Sequence, residues 1–104
     1  MTRSARVRVV IDGRFVLDEA DLHRRMVASL GYGPLYRHDL ASLHERLAAG
    51  DPRPLCLTWT HAAAIRLALG RPGYDKYVAA LESIEAQDAE KLWYERFVLQ
   101  IYEE

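Results

Sequence analysis

Leu55-Cys56-Leu57-Thr58-Trp59-Thr60 is a nearly unbroken apolar run of strand length, preceded by Asp51-Pro52-Arg53-Pro54 and followed by an Ala-rich stretch. A strand wetted on one face alternates apolar and polar residues, whereas one covered on both faces has no need to. The run therefore predicts a strand at the centre of a parallel sheet, buried on both faces. Everything on either side of it has to supply the neighbours and the cover.

Toward the N-terminus, Val7, Val9 and Ile11 alternate with Arg6, Arg8 and Val10, which predicts a half-exposed strand over Ala5 to Ile11. Asp12-Gly13 forms a tight turn. Asp18 then reads as a helix N-cap, and Glu19 and Asp21 place negative charge in the first turn, where the helix dipole favours it. Leu22, Met26 and Leu30 make the buried stripe of this helix, and Gly31 ends it as a left-handed cap. His23, at the stripe's edge, reads as a packed, hydrogen-bonded residue, and Arg24 and Arg25 as a solvated face. Gly31-Tyr32-Gly33-Pro34-Leu35-Tyr36-Arg37 is a connection rich in breakers and aromatics, after which Asp39 caps a second helix that runs to about Ala49.

Toward the C-terminus, Thr60 is placed to cap a helix from His61 to Leu69, and Gly70 to Gly73 interrupts it. Tyr77, Leu81 and Ile84 mark a fourth helix from about Tyr74 to Gln87. Phe97, Leu99 and Ile101 alternate again and predict a third strand over Glu95 to Tyr102. Both connections between strands are long and helical, which suits parallel crossovers and excludes hairpins. The reading is one α/β domain over residues 1–104, ordered β-α-α-β-α-α-β, with a three-stranded parallel sheet packed by about four helices.

With 14 Lys+Arg against 15 Asp+Glu among 104 residues, the net charge of -1 supplies no general field for phosphate backbones or anionic lipid, and direct nucleic-acid binding is not expected. Cys56 is the only cysteine, so an intramolecular disulfide and a thiolate zinc site are both excluded. No metal or cofactor is expected. Inside its strand Cys56 reads as an inert buried thiol, and Trp59 and Trp93 as core and core-edge residues. No apolar run is long enough for a membrane span, and the N-terminal segment lacks the apolar stretch of a secretion signal, so a cytoplasmic protein is expected.

On the second helix Leu40, Leu43 and Leu47 share one face. At about 100° per residue the opposite face centres on Glu45, with Ala41, Ser42 and Ala48 around it. A single acid among small side chains makes a surface of close approach. Tyr32 and Tyr36 can pin the preceding loop to the core, face a partner, or do both.

The element order, together with Ile11-Asp12-Gly13, Asp21-Leu22-His23 and Leu35-Tyr36-Arg37-His38-Asp39-Leu40-Ala41-Ser42-Leu43-His44-Glu45-Arg46-Leu47, resembles the barstar family of intracellular ribonuclease inhibitors. The similarity continues through Pro54-Leu55-Cys56-Leu57-Thr58-Trp59 and covers nearly the whole chain. The resemblance implies a two-layer α/β fold with strands in the order 1-2-3. It also implies one-to-one masking of the active-site cleft of a bacterial ribonuclease toxin by the 32–45 loop and the exposed face of helix two. The physical basis is charge mimicry: a cleft lined with cations for phosphate donates equally well to a rigidly held carboxylate.

Carried over by position, Tyr36 matches a loop aromatic, Asp39 an Asn near the helix start, and Glu45 a central interfacial Asp. Ala41 stands where the best-known members carry a second interfacial Asp, and His44 where they carry Trp. Glu82 is the nearest acid on helix four, with Glu85 one turn later. The partner-binding set implied is Tyr36, Asp39, Ala41, Ser42, His44, Glu45 and Glu82. Because of Ala41 and His44, an immunity protein or regulator on the same fold with a non-ribonuclease partner is the main alternative.

A small enzyme is the third class. Strand ends bring Asp12 and His61 forward, and His38, His44 and Glu45 could add acid–base groups. Yet adjacent His44 and Glu45 point about 100° apart on a helix. There is also no His pair at i, i+4, no phosphate-binding glycine loop and no nucleophile elbow. No enzymatic activity is expected.

Overall fold

The computed structural model describes residues 7–33, 36–50, 53–92 and 95–104. Readings that touch Ala5, Arg6, Pro34, Leu35, Asp51, Pro52 and Trp93 lie outside the described residues. The elements are β1 (Val7–Asp12), α1 (Glu19–Leu30), α2 (Leu40–Ala48), β2 (Leu55–Thr60), α3 (Ala62–Leu69), α4 (Arg71–Asp88) and β3 (Phe97–Ile101), with a 3-10 turn at Gly13–Phe15. The three strands are parallel in the order β1-β2-β3, with Val9 level with Leu57 and Leu57 level with Leu99. This is the α/β, β-α-α-β-α-α-β arrangement that the crossovers predict.

Burial corrects the reading of β2. Leu55, Leu57 and Trp59 are fully buried beneath the helices, and Leu57 at 0% exposure against Val10 at 61% is the contrast expected of a central strand. Strand residues alternate between faces, so Cys56, Thr58 and Thr60 look the other way. There Thr58 and Thr60 are only half-buried, and Val10 and Gln100 are exposed. Cys56 is buried because Arg8 and Val98 flank it in register. The unbroken apolar run reflects strands on both sides, not a second helical layer.

One core forms where Val9, Ile11, Leu57, Trp59 and Phe97 meet Leu22, Met26, Leu43, Leu47, Ile65, Leu81 and Ile84. Leu43 and Leu47 are fully buried. Each such side chain contributes about 1.5–3 kcal/mol by leaving water, which fixes the nine-residue α2 as a platform.

Several helix ends follow their caps. Asp18 and Asp39 each accept from the backbone N–H three residues on, and Gly31 closes α1 at φ +74°. Two ends differ from expectation. Thr60 does not cap α3; the N-cap is His61, at φ +52°, without a side-chain cap bond. A Cβ on Gly13 would lie 2.3 Å from the His61 carbonyl oxygen, so the turn after β1 needs glycine to pass this close to α3. Helix α4 starts at Arg71 rather than Tyr74, because Pro72 sits in its first turn, where a missing N–H leaves no helical bond unmade.

The outer edge of β3 is closed by carboxylates of α4. Asp88 accepts from the Phe97 N–H at 2.8 Å and Glu85 from the Leu99 N–H at 2.9 Å. Donors that would template another strand are thereby occupied. Asp88, 1% exposed, also accepts from Arg53 Nε at 2.8 Å and faces Lys91 Nζ at 3.0 Å. Burial pushes its pKa up, but hydrogen bonds from Lys91, Arg53 and the Phe97 N–H outweigh this and hold the carboxyl below its ordinary value.

Candidate functional site

Asp39 sits in extended backbone before α2, and its Oδ1 accepts from the Ser42 N–H at 2.8 Å. That bond lowers its pKa. The side chain is exposed, so the carboxylate fixes the helix start while remaining open to solvent.

The loop before it is tied down from inside. Tyr32 and Tyr36 are 5% and 6% exposed, their rings 5.1 Å apart, and Arg46 lies over the Tyr32 ring at 4.5 Å. Of the two roles open to these tyrosines, the pinning one is seen directly. His23, fully buried as expected, bridges the Tyr36 and Tyr77 hydroxyls, with both contacts at 2.7 Å. Tyr77 gives its own proton to Glu19. Its oxygen must therefore accept from His23 Nε2–H, which leaves Nδ1 to accept from Tyr36 O–H. The imidazole is neutral with its proton on Nε2. Burial lowers its pKa and keeps it so, and burial likewise raises the pKa of both tyrosines.

Above this pinned loop, Tyr36, Arg37, Ser42, Glu45 and Arg46 line an open polar cleft of about 150 Å³. Three residues of the expected set meet there: Tyr36, Ser42 and Glu45. Glu45 and Arg37 are exposed, and among the described residues neither side chain makes a hydrogen bond or ion pair. The surroundings of Glu45 differ from expectation, since two long arginines share its cleft where small side chains were anticipated. Both were within reach of sequence reasoning. Ser42 and Arg46 are an i, i+4 pair on one helix face, and Arg37 directly follows Tyr36.

The remaining residues of the set do not line the cleft. Ala41 is exposed. His44 is half-buried with Nε2 3.5 Å from Ser83 Oγ, so its ring is turned toward α4. Glu82, next to Ser83, is exposed on α4. Glu85, the other acid considered there, is committed to the β3 edge.

At the carboxyl ends of the strands, Asp12 Oδ1 lies 3.2 Å from His61 Nδ1. Arg14 holds the same carboxylate at 2.7 Å from its Nη2. Its hydrogen bonds lower the Asp12 pKa to about 2, which makes this carboxylate a poor proton acceptor. His38 lies elsewhere, beside the rings of His23 and Tyr36. The groups considered for catalysis are thus dispersed over different parts of the fold.

A family model described as Barstar (barnase inhibitor) matches residues 7–100 of the chain. The chain belongs to the barstar family. The match takes in every strand and helix given above except the last residue of β3, and the three-stranded sheet in the order 1-2-3 agrees with it. Barstar-family proteins are ribonuclease inhibitors rather than enzymes. No curated protein matches the chain. Among the described residues no helix is long and apolar enough to cross a membrane.

Proposed function

We propose that this chain is an inhibitor that binds one ribonuclease molecule and covers its active-site cleft with the 32–45 loop and α2, without turnover. The observation that carries the reading is Glu45: an exposed carboxylate without a partner among the described residues, at the lip of a cleft, on a helix anchored by Leu43 and Leu47. A carboxylate held on a rigid element loses little freedom on binding and accepts charge-assisted bonds from donors meant for phosphate. Asp39 supplies a second exposed carboxylate at the helix start. Tyr36 and Ser42 line the cleft with Glu45, and Ala41, His44 and Glu82 complete the proposed contact set. The partner is a bacterial toxin, and the chain acts in the cytoplasm as its immunity protein or antitoxin, without binding nucleic acid itself.

Titrating the activity of barnase and related bacterial ribonucleases with the chain tests this, and an equivalence point at one to one is expected. Exposed Ala41, where a second acid would strengthen the mimicry, favours one further reading, in which the same face serves a partner other than a ribonuclease. Ala41→Asp separates the two by setting a second carboxylate about 6 Å from Glu45 at Cβ. A phosphate-binding cleft would keep or tighten its grip, most of all at low salt. Severe loss at both low and high salt would select the other partner class.

A further inference from the structure

The cleft around Glu45 is not simply acidic. Between Tyr36 and Leu47, Arg37 and Arg46 offset Asp39 and Glu45, so this stretch of the face proposed to imitate phosphate has no net formal charge. Arg46 is held over the Tyr32 ring. Arg37 is exposed, and it lines the same cleft of about 150 Å³ as Glu45 without pairing with it. Two side chains of opposite sign are thus presented together, each without an ion-pair partner among the described residues.

A partner that brings only cations would satisfy Glu45 and press like charge against Arg37, which opposes association. Resting on the inhibitor reading above, we propose that Arg37 is a specificity residue, and that the partner's cleft carries a carboxylate opposite it among the cations that meet Glu45. A guanidinium offers two parallel N–H donors that match a carboxylate, a geometry that neither ammonium nor imidazole supplies. A carboxylate beside phosphate-binding cations is the composition of a cleft that uses Asp or Glu as general base next to a phosphoryl group. The chain would then recognise both signs of such a cleft and reject one that is cationic throughout.

The test uses full-length chain against barnase and a panel of barnase-type ribonucleases, with association rates measured for wild type, Arg37→Ala, Arg37→Glu and Arg37→Lys at low and high salt. Because Arg37 is exposed, melting temperature should not move among the variants. For an inhibited ribonuclease, Arg37→Ala should slow association about two- to fivefold at low salt. Arg37→Glu should slow it further, Arg37→Lys should keep a near wild-type association rate but dissociate faster for want of the second parallel donor, and the association differences should shrink at high salt. Equal or faster association of Arg37→Ala with an inhibited ribonuclease overturns the role of Arg37 and leaves the inhibitor reading standing. If wild type inhibits no member of the panel, the inhibitor reading itself falls and this inference with it.

Discussion

Asp88 ends α4 and Glu45 lies within α2, two helices that pack against each other, yet the two carboxylates have opposite surroundings. Asp88 is buried and engaged by Arg53, Lys91 and the Phe97 N–H. Glu45 is exposed and engages none of the described residues through its side chain. The cations divide in the same way. Arg53 is drawn inward to join Asp88 and the Leu47 carbonyl, while Arg37 stands open at the cleft. In a chain whose charges nearly cancel, the paired set locks α2, α4 and β3 into one frame. The unpaired set on that frame is what remains for a partner.

That division is open to attack at its strongest point first. Asp88→Ala would remove the buried carboxylate that pairs with the Arg53 guanidinium, whose side chain is 10% exposed, and would free an edge N–H. Breaking a buried pair in this way costs about 3–5 kcal/mol, to be read as a lowered urea midpoint. The folded fraction should still inhibit with wild-type affinity.

The next effect is smaller and depends on pH. Folding lowers the His23 pKa, so as pH falls below 6.5 the unfolded chain takes up that proton first. The His23 contribution is full above 6.5 and declines as pH falls toward the folded pKa. His23→Gln, which can still bridge two hydroxyls, should remove that limb from a plot of stability against pH. Asp88 contributes a separate limb lower down, because its depressed pKa makes the unfolded chain protonate first below about 3.8. If the decline below 6.5 survived in His23→Gln, His23 would not be its source.

The smallest effect belongs to the other side of the comparison. Glu45→Ala should change stability by less than about 0.5 kcal/mol in the same urea titration, as befits an exposed side chain away from the core. A larger loss would mean that Glu45 helps hold α2 in place.

Periodicity and caps carry much of the sequence's legibility. Alternation at Val7–Ile11 and Phe97–Ile101, the Asp18 and Asp39 caps and the Gly31 stop are local signals, and long helical crossovers leave little choice but a parallel sheet. Long-range pairings are where local signals end. Arg53 and Asp88 are 35 positions apart, and each alone reads as an ordinary surface charge near a connection. Gly70-Arg71-Pro72-Gly73 reads as a break because the proline's tolerance for a first helical turn depends on where the helix begins. His61 takes a left-handed conformation and its carbonyl packs against Gly13, an approach between distant positions that no local signal announces. At the site, a helical projection correctly turns Glu45 outward. It treats Arg46 as one more surface residue and says nothing of the loop residue Arg37; their spacing beside Ser42 and Tyr36 is in the sequence, but that both line one cleft with Glu45 is seen in the fold.

Glu45 bears the central claim, and inhibition is the direct way to measure it. With an inhibited ribonuclease, wild-type chain should reach full inhibition at one equivalent. Glu45→Ala, equally folded, should bind at least about thirtyfold more weakly, the loss of 2 kcal/mol or more expected of a central anchor. Inhibition of the same ribonuclease by Glu45→Ala with wild-type affinity would contradict the claim and return Glu45 to the solvated surface of α2.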